Sequence, residues 1–146
     1  MAFTDAFADA IAYAEGFYVF GSRAARNNNP GNLTVDTIGR AVRYDGPFVV
    51  YGTVTDGWNA LKRQIERMLD GTSAFYSPEM TIRQIADVYT ATDKAAWAAN
   101  VASRLGVTVN TVLGDLAGIF ESYPVESAGI LLIVALGLFW FVRKGI

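Results

Sequence analysis

The last twenty residues of this chain differ sharply in polarity from the rest. The sixteen residues from Ser127 to Val142 read SAGILLIVALGLFWFV and include no charged side chain. As an α-helix they would span about 24 Å, slightly less than the roughly 30 Å hydrocarbon core of a bilayer. They offer no polar face to water, which predicts a single membrane-spanning helix. A buried helix in a globular core is the alternative, because most spanning segments are longer.

The residues around this apolar run favour the membrane prediction. Trp140 suits the aromatic belt of a membrane interface, and Arg143 and Lys144 can extend to the headgroups. Because these two charges follow the helix, the positive-inside rule predicts a cytoplasmic tail and a periplasmic domain on a single-pass C-terminal anchor. The predicted organisation is a domain over residues 1–122, a junction over 123–126, and a membrane helix with a short basic tail over 127–146.

The composition of the whole chain excludes several kinds of site. It contains no Cys and no His, which excludes disulfides, thiolate nucleophiles, His-ligated zinc and imidazole bases. Fourteen acidic residues against twelve Lys and Arg give a net charge of −2. That balance disfavours nucleic acid as a partner, since nucleic-acid surfaces are basic. For catalysis this composition leaves carboxylates, Tyr, Lys, hydroxyls, a terminal amine or an oxygen-ligated metal. Of these we expect a carboxylate, with no metal and no cofactor.

Hydrophobic periodicity predicts a mostly helical α+β fold with a small antiparallel sheet. Three β-rich segments are separated by Gly-containing turns, which is typical of a hairpin or a three-stranded sheet; they cover residues 33–37, 40–44 and 47–51. Helical spacing and caps predict helices over residues 3–15, 56–69, 81–89, 93–105 and 109–122. Thr81 and Gln84 have the spacing of a capping box, and Asp93 is the predicted N-cap of a helix that ends before Gly106.

Glu15 is the leading candidate for a catalytic acid. Residues four apart drift by only about 40° around a helix, so Glu15 lies at the margin of the apolar stripe of Phe3, Phe7 and Ile11. Partial desolvation at that margin raises the pKa of a carboxyl group. A glycosidase needs such a protonated acid for the leaving oxygen. A solvated Glu at a frayed helix end is the alternative, although a negative charge there opposes the helix dipole.

An Asn-rich turn follows the first predicted helix. The string RNNNPGNL from Arg26 to Leu33 places four Asn within six positions. Side-chain amides donate and accept hydrogen bonds, which suits the hydroxyl and N-acetyl groups of a sugar. Asn, Pro and Gly are also ordinary turn formers, so the pattern leaves a structural role open.

These segments together resemble the phage-type lytic transglycosylases of the lysozyme-like superfamily. The resemblance begins with a helix ending in Glu15-Gly16, then Ser22, then RNNNPGNL. It continues in the same order through FVVYGTVTDGWNALKRQIERML, TIRQIADVYT and AAWAANVASRLGV, and covers residues 5–115. The chain differs from the cellular soluble branch, which has Glu-Ser and a Gly-Leu-Met-Gln string after the catalytic helix.

The resemblance implies a lysozyme-like domain with Glu15 as its single catalytic residue. It implies cleavage of peptidoglycan strands between N-acetylmuramic acid and N-acetylglucosamine, with closure of a 1,6-anhydro ring. Together with the apolar tail, it suggests a phage virion protein, anchored in the virion membrane or the host inner membrane, that opens the cell wall at genome entry beside other virion proteins. The residues implied to bind the glycan are Ser22, Asn27, Asn28, Asn29, Asn32 and Tyr89.

The sequence leaves three alternatives to a transglycosylase, and one of them is an unrelated inner-membrane protein with a helical ectodomain. A hydrolytic lysozyme needs a second carboxylate, about 5–5.5 Å from the first in a retaining enzyme and about 6.5–9.5 Å in an inverting one. Asp36 and Asp45 are the candidates for that carboxylate. A non-catalytic glycan-binding or structural virion membrane protein needs neither of them. Trp58 and Trp97 are predicted to be core residues rather than stacking platforms for a sugar.

Overall fold

The fold is described for residues 1–122 by a computed structural model. Over this range it is α+β, with six helices and one two-stranded antiparallel sheet, which confirms the predicted class. The elements in chain order are α1 (Phe3–Ala14), α2 (Arg23–Arg26), β1 (Ala41–Asp45), β2 (Phe48–Tyr51), α3 (Val54–Leu69), α4 (Ile82–Tyr89), α5 (Lys94–Leu105) and α6 (Leu113–Ser122).

Helix α1 is surrounded by other elements and packs against α3, α5 and α6. Phe7 and Ile11 are fully buried in its apolar stripe. Ala8, Ala10 and Ala12 are also fully buried, and these small side chains let the neighbouring helices approach closely. Because α4 packs on α5 in turn, the C-terminal ends of α1 and α4 are held within one helical cluster.

Side-chain caps determine where α3 and α4 begin. Thr53 accepts a hydrogen bond from the backbone N–H of Asp56 at the start of α3. The predicted capping box of Thr81 and Gln84 is present at the start of α4. Asp93 is the N-cap of α5, as predicted, although it adopts a left-handed conformation and makes no side-chain capping hydrogen bond.

The sheet consists of one hairpin. β1 and β2 are joined by the turn at Gly46-Pro47, with Tyr44 opposite Val49 and an irregularity between Ala41 and Arg43. Gly46 has a φ of 58°, a conformation that glycine adopts without strain and that suits a two-residue hairpin turn.

The predicted strand over residues 33–37 is wrong. The carboxylate of Asp36 accepts hydrogen bonds from the backbone N–H groups of Ile38, Gly39 and Ala41 at 2.8–3.2 Å. These bonds turn the chain at the point where a strand would have to stay extended. The segment therefore leads into β1 as a bend, although its composition is β-rich.

The predicted membrane helix over residues 127–142 lies outside the described residues, as does the junction over 123–126. Between Met1 and Ser122, no helix is both long enough and apolar enough to cross a bilayer. The longest helix in that range is α3, with 16 residues. The membrane anchor stays a prediction from the sequence.

Candidate active site

Glu15 occupies the C-cap of α1 because the following residue is a glycine. Gly16 has a φ of 73°, and its N–H bonds to the carbonyl of Tyr13 while the N–H of Phe17 bonds to that of Ala12. This pair of bonds is a Schellman motif, which ends a helix with glycine in the left-handed conformation. The Glu-Gly pair thus ends α1 and places the Glu15 side chain at the end of the helix.

Each carboxylate oxygen of Glu15 accepts one side-chain hydrogen bond. The indole Nε1–H of Trp97, on α5, donates to Oε1 at 2.7 Å. The amide Nδ2–H of Asn32 donates to Oε2 at 2.9 Å. The carboxylate is therefore held between a helix 82 residues further along the chain and the last Asn of the RNNNPGNL segment.

Burial raises the pKa of Glu15, and the hydrogen bonds from Asn32 and Trp97 lower it by less. The net direction is upward, as its position at the edge of the apolar stripe predicted. Within residues 1–122, Glu15 forms no salt bridge that would hold it ionised. Such a carboxyl keeps its proton to a higher pH than an exposed Glu, which is the property that a general acid needs.

Two tyrosines form the wall beside this carboxyl. Tyr89 stacks on Trp97 with ring centroids 4.9 Å apart, and its hydroxyl donates to the carbonyl of Gly31 at 2.8 Å. Burial raises the pKa of both tyrosines, and the negative charge of Glu15 is a second, smaller cause; for Tyr76 the pKa is raised to about 12. Both phenols are therefore neutral over the whole range in which Glu15 titrates.

A cavity of about 280 Å³ lies beside Asn32 and the two tyrosines. One of its lining residues, Phe75, is an aromatic side chain that is 70% exposed. Gln64 adds an amide to the lining, so hydrogen-bonding groups and apolar surface occur together, as ligand sites require. The lining residues are Gly31, Asn32, Leu33, Thr34, Val35, Gln64, Phe75, Tyr76, Val88 and Tyr89.

Glycines allow the neighbouring helices to press on the turn that carries Asn32. A Cβ atom on Gly57, in α3, would lie 1.8 Å from the carbonyl oxygen of Asn28. A Cβ atom on Gly31 would lie 2.7 Å from the hydroxyl of Tyr89 and from a methyl of Leu61. These contacts leave no space for a larger residue, so the turn is tightly packed where it meets Glu15.

The side chains of the other three Asn of this segment bond to the β1–β2 hairpin instead of to Glu15. Asn27 donates to Asp45 at 3.1 Å and Asn28 to the carbonyl of Tyr51 at 3.0 Å. The fully buried Asn29 donates to the carbonyls of Leu33 and Val49, and its own side-chain oxygen accepts from the N–H of Leu33. Their amides tie the turn to the hairpin, and the structure brings only Asn32 of the four into contact with Glu15.

Ser22 and Tyr89, which the resemblance also implied to bind the glycan, lie in different parts of the structure. The hydroxyl of Ser22 caps α2 by accepting from the N–H of Ala25 at 3.2 Å, so one of its lone pairs serves the fold. Tyr89, in contrast, lies in the wall beside Glu15. The structure therefore groups Glu15 with Asn32 and Tyr89 out of the residues that the resemblance indicated.

The two candidate second carboxylates have structural partners. Burial of Asp36 opposes ionisation, but hydrogen bonds from Ala41, Ile38, Gly39 and Tyr51 outweigh it and lower the pKa of Asp36. Asp45 accepts the bond from Asn27. Neither group hydrogen bonds to any member of the Glu15 site.

Trp97 and Tyr76 are the site residues that the sequence did not reveal. Trp97 is buried, as predicted for a core residue, but its N–H also binds Glu15. An indole in a buried position commonly finds a polar partner, yet the spacing within α5 gives no indication of which one. Tyr76 lies in the irregular segment between α3 and α4, where periodicity carries no information.

The part of the chain that the structure describes contains no cluster of three or more acidic residues arranged to hold a metal ion. No protein family, curated protein or solved structure matches this chain. The site consists of a single desolvated carboxyl, two donors that orient it, and a cavity that one of those donors, Asn32, also lines.

Proposed function

We propose that this protein is a peptidoglycan lytic transglycosylase with a lysozyme-like domain and with Glu15 as its catalytic acid and base. The observation that carries the proposal is the Glu15 carboxyl, whose two oxygens bond to Trp97 and Asn32. Asn32 also lines the cavity, whereas Glu15 lies behind it and is not a lining residue. Its raised pKa supports the acid role, since a protonated carboxyl is required before the glycosidic bond breaks.

The proposed reaction needs one carboxyl group. Protonated Glu15 gives its proton to the glycosidic oxygen, and the bond from that oxygen to C1 of N-acetylmuramic acid breaks. The C6 hydroxyl of the same sugar attacks C1, and its proton returns to the Glu15 carboxylate. The products are a free hydroxyl on N-acetylglucosamine and a 1,6-anhydro ring, so atoms balance without water. The structural roles of Asp36 and Asp45 favour this route over a two-carboxylate hydrolysis.

The cavity beside Asn32 is the proposed binding surface for the glycan strand. Tyr76 and Phe75 offer aromatic surface to the apolar face of a sugar ring, and Gln64 offers an amide to its polar groups. Asn32 and Tyr89 stay in the proposal as residues near the reacting bond. Asn27, Asn28, Asn29 and Ser22 act in it by shaping the turn.

The proposed location follows from the sequence of the tail. Residues 127–142 would anchor the protein in a phage virion membrane or the host inner membrane, with the catalytic domain on the periplasmic side. From there the domain would reach the peptidoglycan and open it locally at genome entry.

The decisive experiment is digestion of purified sacculi by the full chain in detergent, with product masses read by mass spectrometry. Products that lack one water relative to reducing-end muropeptides support the proposal. Reducing-end products would make the protein a hydrolase, and binding to sacculi without any released product would make it a glycan-binding or structural protein. A Glu15→Gln variant, compared at equal folding by circular dichroism, links the products to this carboxyl.

A further inference from the structure

The two hydrogen bonds to Glu15 come from chemically different donors. The indole of Trp97 can only donate, so it requires a lone pair on Oε1 whether Glu15 is charged or neutral. The amide of Asn32 can donate through Nδ2 or accept through Oδ1. Oε1 therefore faces a group that can only donate a hydrogen bond, and Oε2 faces a group that can either donate or accept one.

Asn32 has an unused acceptor at this position. Its Oδ1 is the buried side-chain polar atom without a hydrogen-bond partner between Met1 and Ser122, while its Nδ2 donates to Oε2 of Glu15. A buried carbonyl oxygen without a partner is costly. Rotation of the amide by 180° would exchange the two atoms in nearly the same space and turn Oδ1 toward Glu15.

The backbone at Asn32 is held in an unusual conformation. Its φ of 45° lies in the left-handed region, which Asn tolerates better than most residues. The tight packing around Gly31 and Gly57 keeps the segment in place. The amide can therefore rotate about its own side-chain bonds while its distance to Glu15 is maintained.

We propose that Trp97 and Asn32 assign separate roles to the two oxygens of Glu15: the indole keeps Oε1 as a permanent acceptor, and the Asn32 amide rotates to accept a proton carried on Oε2. In the charged state, Nδ2 donates to Oε2. In the neutral state, the Oε2–H group donates to Oδ1, and the N–H groups of Nδ2 turn to the position that Oδ1 leaves, so the amide faces Glu15 with an acceptor instead of a donor. Asn32 is thus a positioning residue that serves both protonation states.

The catalytic consequence rests on the proposed function: Oε2 is the atom from which the proton leaves and to which it returns. The hydrogen-bond assignment itself does not depend on turnover. Of the titratable groups packed around Glu15, Tyr76 comes from the segment before α4 and Tyr89 from the end of α4. Both are neutral in this range, and α5 contributes only the indole, so no other proton obscures the exchange.

The test is a ¹³C titration of the Glu15 carboxyl in the full chain in detergent micelles, assigned by comparison with Glu15→Gln. Trp97→Phe keeps a ring against Tyr89 but removes the donor, and it should raise the Glu15 pKa by about one unit or more. Asn32→Gly keeps the left-handed backbone but removes an amide that serves both states, so it should change the pKa by well under half of that amount. Trp58→Phe is the control, because the Trp58 indole packs on Phe17 and makes no hydrogen bond within the described domain; it should leave the pKa unchanged.

An equal rise for Asn32→Gly and Trp97→Phe would overturn the proposal, since Asn32 would then act only as a donor to the carboxylate. No rise for Trp97→Phe would overturn the role of the indole. Should Trp97→Phe fail to fold, the unmodified chain still provides a test. Its Asn32 side-chain N–H signals must shift at the Glu15 midpoint as the amide exchanges partners, while the Trp97 indole proton stays hydrogen-bonded on both sides of it. Constant Asn32 signals would contradict the rotation.

Digestion of sacculi separates this inference from the proposed function. If the titrations behave as expected but no muropeptide is released, the transglycosylase proposal fails while the assignment of the two oxygens holds. If anhydro products form but Asn32→Gly raises the pKa as much as Trp97→Phe, the enzyme proposal holds and the amide rotation fails.

Discussion

Glu15 and Asp36 are both carboxylates near loop–element boundaries, yet their surroundings push their pKa values in opposite directions. Glu15 is desolvated and accepts one bond per oxygen, and its pKa is raised. Asp36 accepts three backbone N–H groups and the hydroxyl of Tyr51, and its pKa is lowered. The difference teaches that the balance between burial and the number of donors decides whether a carboxyl holds a proton for chemistry or a charge for the fold.

The largest expected difference between the two groups is in activity on sacculi. Glu15→Gln should reduce product release by about 10²–10⁴-fold, the usual contribution of a general acid–base group. Asp36→Asn should keep near-parental activity per folded molecule. The measurement is anhydromuropeptide release, normalised to the folded fraction by near-ultraviolet circular dichroism. Full activity in Glu15→Gln would show that Glu15 is not the catalytic acid.

Folding stability should depend more on Asp36 than on Glu15, which is the opposite of the order expected for activity. Asp36→Asn places an amide donor against backbone N–H groups and should lower the free energy of unfolding by about 1–2 kcal/mol, a value reduced for partial exposure. Asp45→Asn is the matched control, because its remaining oxygen can still accept the bond from Asn27. Urea unfolding followed by tryptophan fluorescence measures both. Equal losses would mean that the turn at Asp36 does not depend on its charge.

The pH dependence of stability should differ in sign between the two sites. The pKa of Glu15 is raised on folding. Its contribution to the free energy of unfolding is therefore complete below its unfolded-state pKa near 4.5 and is lost as pH rises through its folded-state pKa. Asp36 has a lowered pKa, so its contribution is present above 3.8 and is lost as pH falls through the folded-state pKa.

Melting temperatures over a pH series measure this difference. Glu15→Gln should gain a few degrees over the parent as pH rises toward neutrality, whereas the deficit of Asp36→Asn should shrink on acidification. Parallel pH profiles for the two variants would show that their carboxyls share one environment after all.

The smallest expected effect comes from a single donor to Asp36. The hydroxyl of Tyr51 lies 3.4 Å from Oδ1, which is a weak hydrogen bond. Tyr51→Phe should therefore raise the pKa of Asp36 slightly and change stability by no more than about 0.5 kcal/mol. A carboxyl ¹³C titration and urea unfolding of the variant check the two values. A loss of stability comparable to that of Asp36→Asn would show that the Tyr51 hydroxyl, and not the backbone N–H groups, is the main donor to Asp36.

Much of the helical frame could be predicted from local patterns. The spacing of Phe3, Phe7 and Ile11 predicted α1, the Thr81 capping box predicted the start of α4, and Gly106 predicted the end of α5. Such features depend on residues within one or two turns of each other, which sequence spacing reports directly.

The predicted strand at 33–37 was wrong because a single side chain, and not the average propensity of the segment, decided its conformation. Its composition is β-rich, but the outcome depended on one side chain, Asp36, whose oxygens compete with strand pairing for backbone N–H groups. Propensity averages over a segment and cannot weigh a single carboxylate that captures three donors.

The amino-acid sequence alone determined that a carboxyl at position 15 would end a helix at the edge of an apolar stripe, because helical periodicity and the Glu-Gly pair are local. Only the tertiary structure decided which partners it meets. Four Asn within six positions have the same chemistry, yet three bond to the β1–β2 hairpin and Asn32 alone reaches Glu15. Trp97 comes from 82 positions away, and that contact exists only because α1 and α5 pack together in the core.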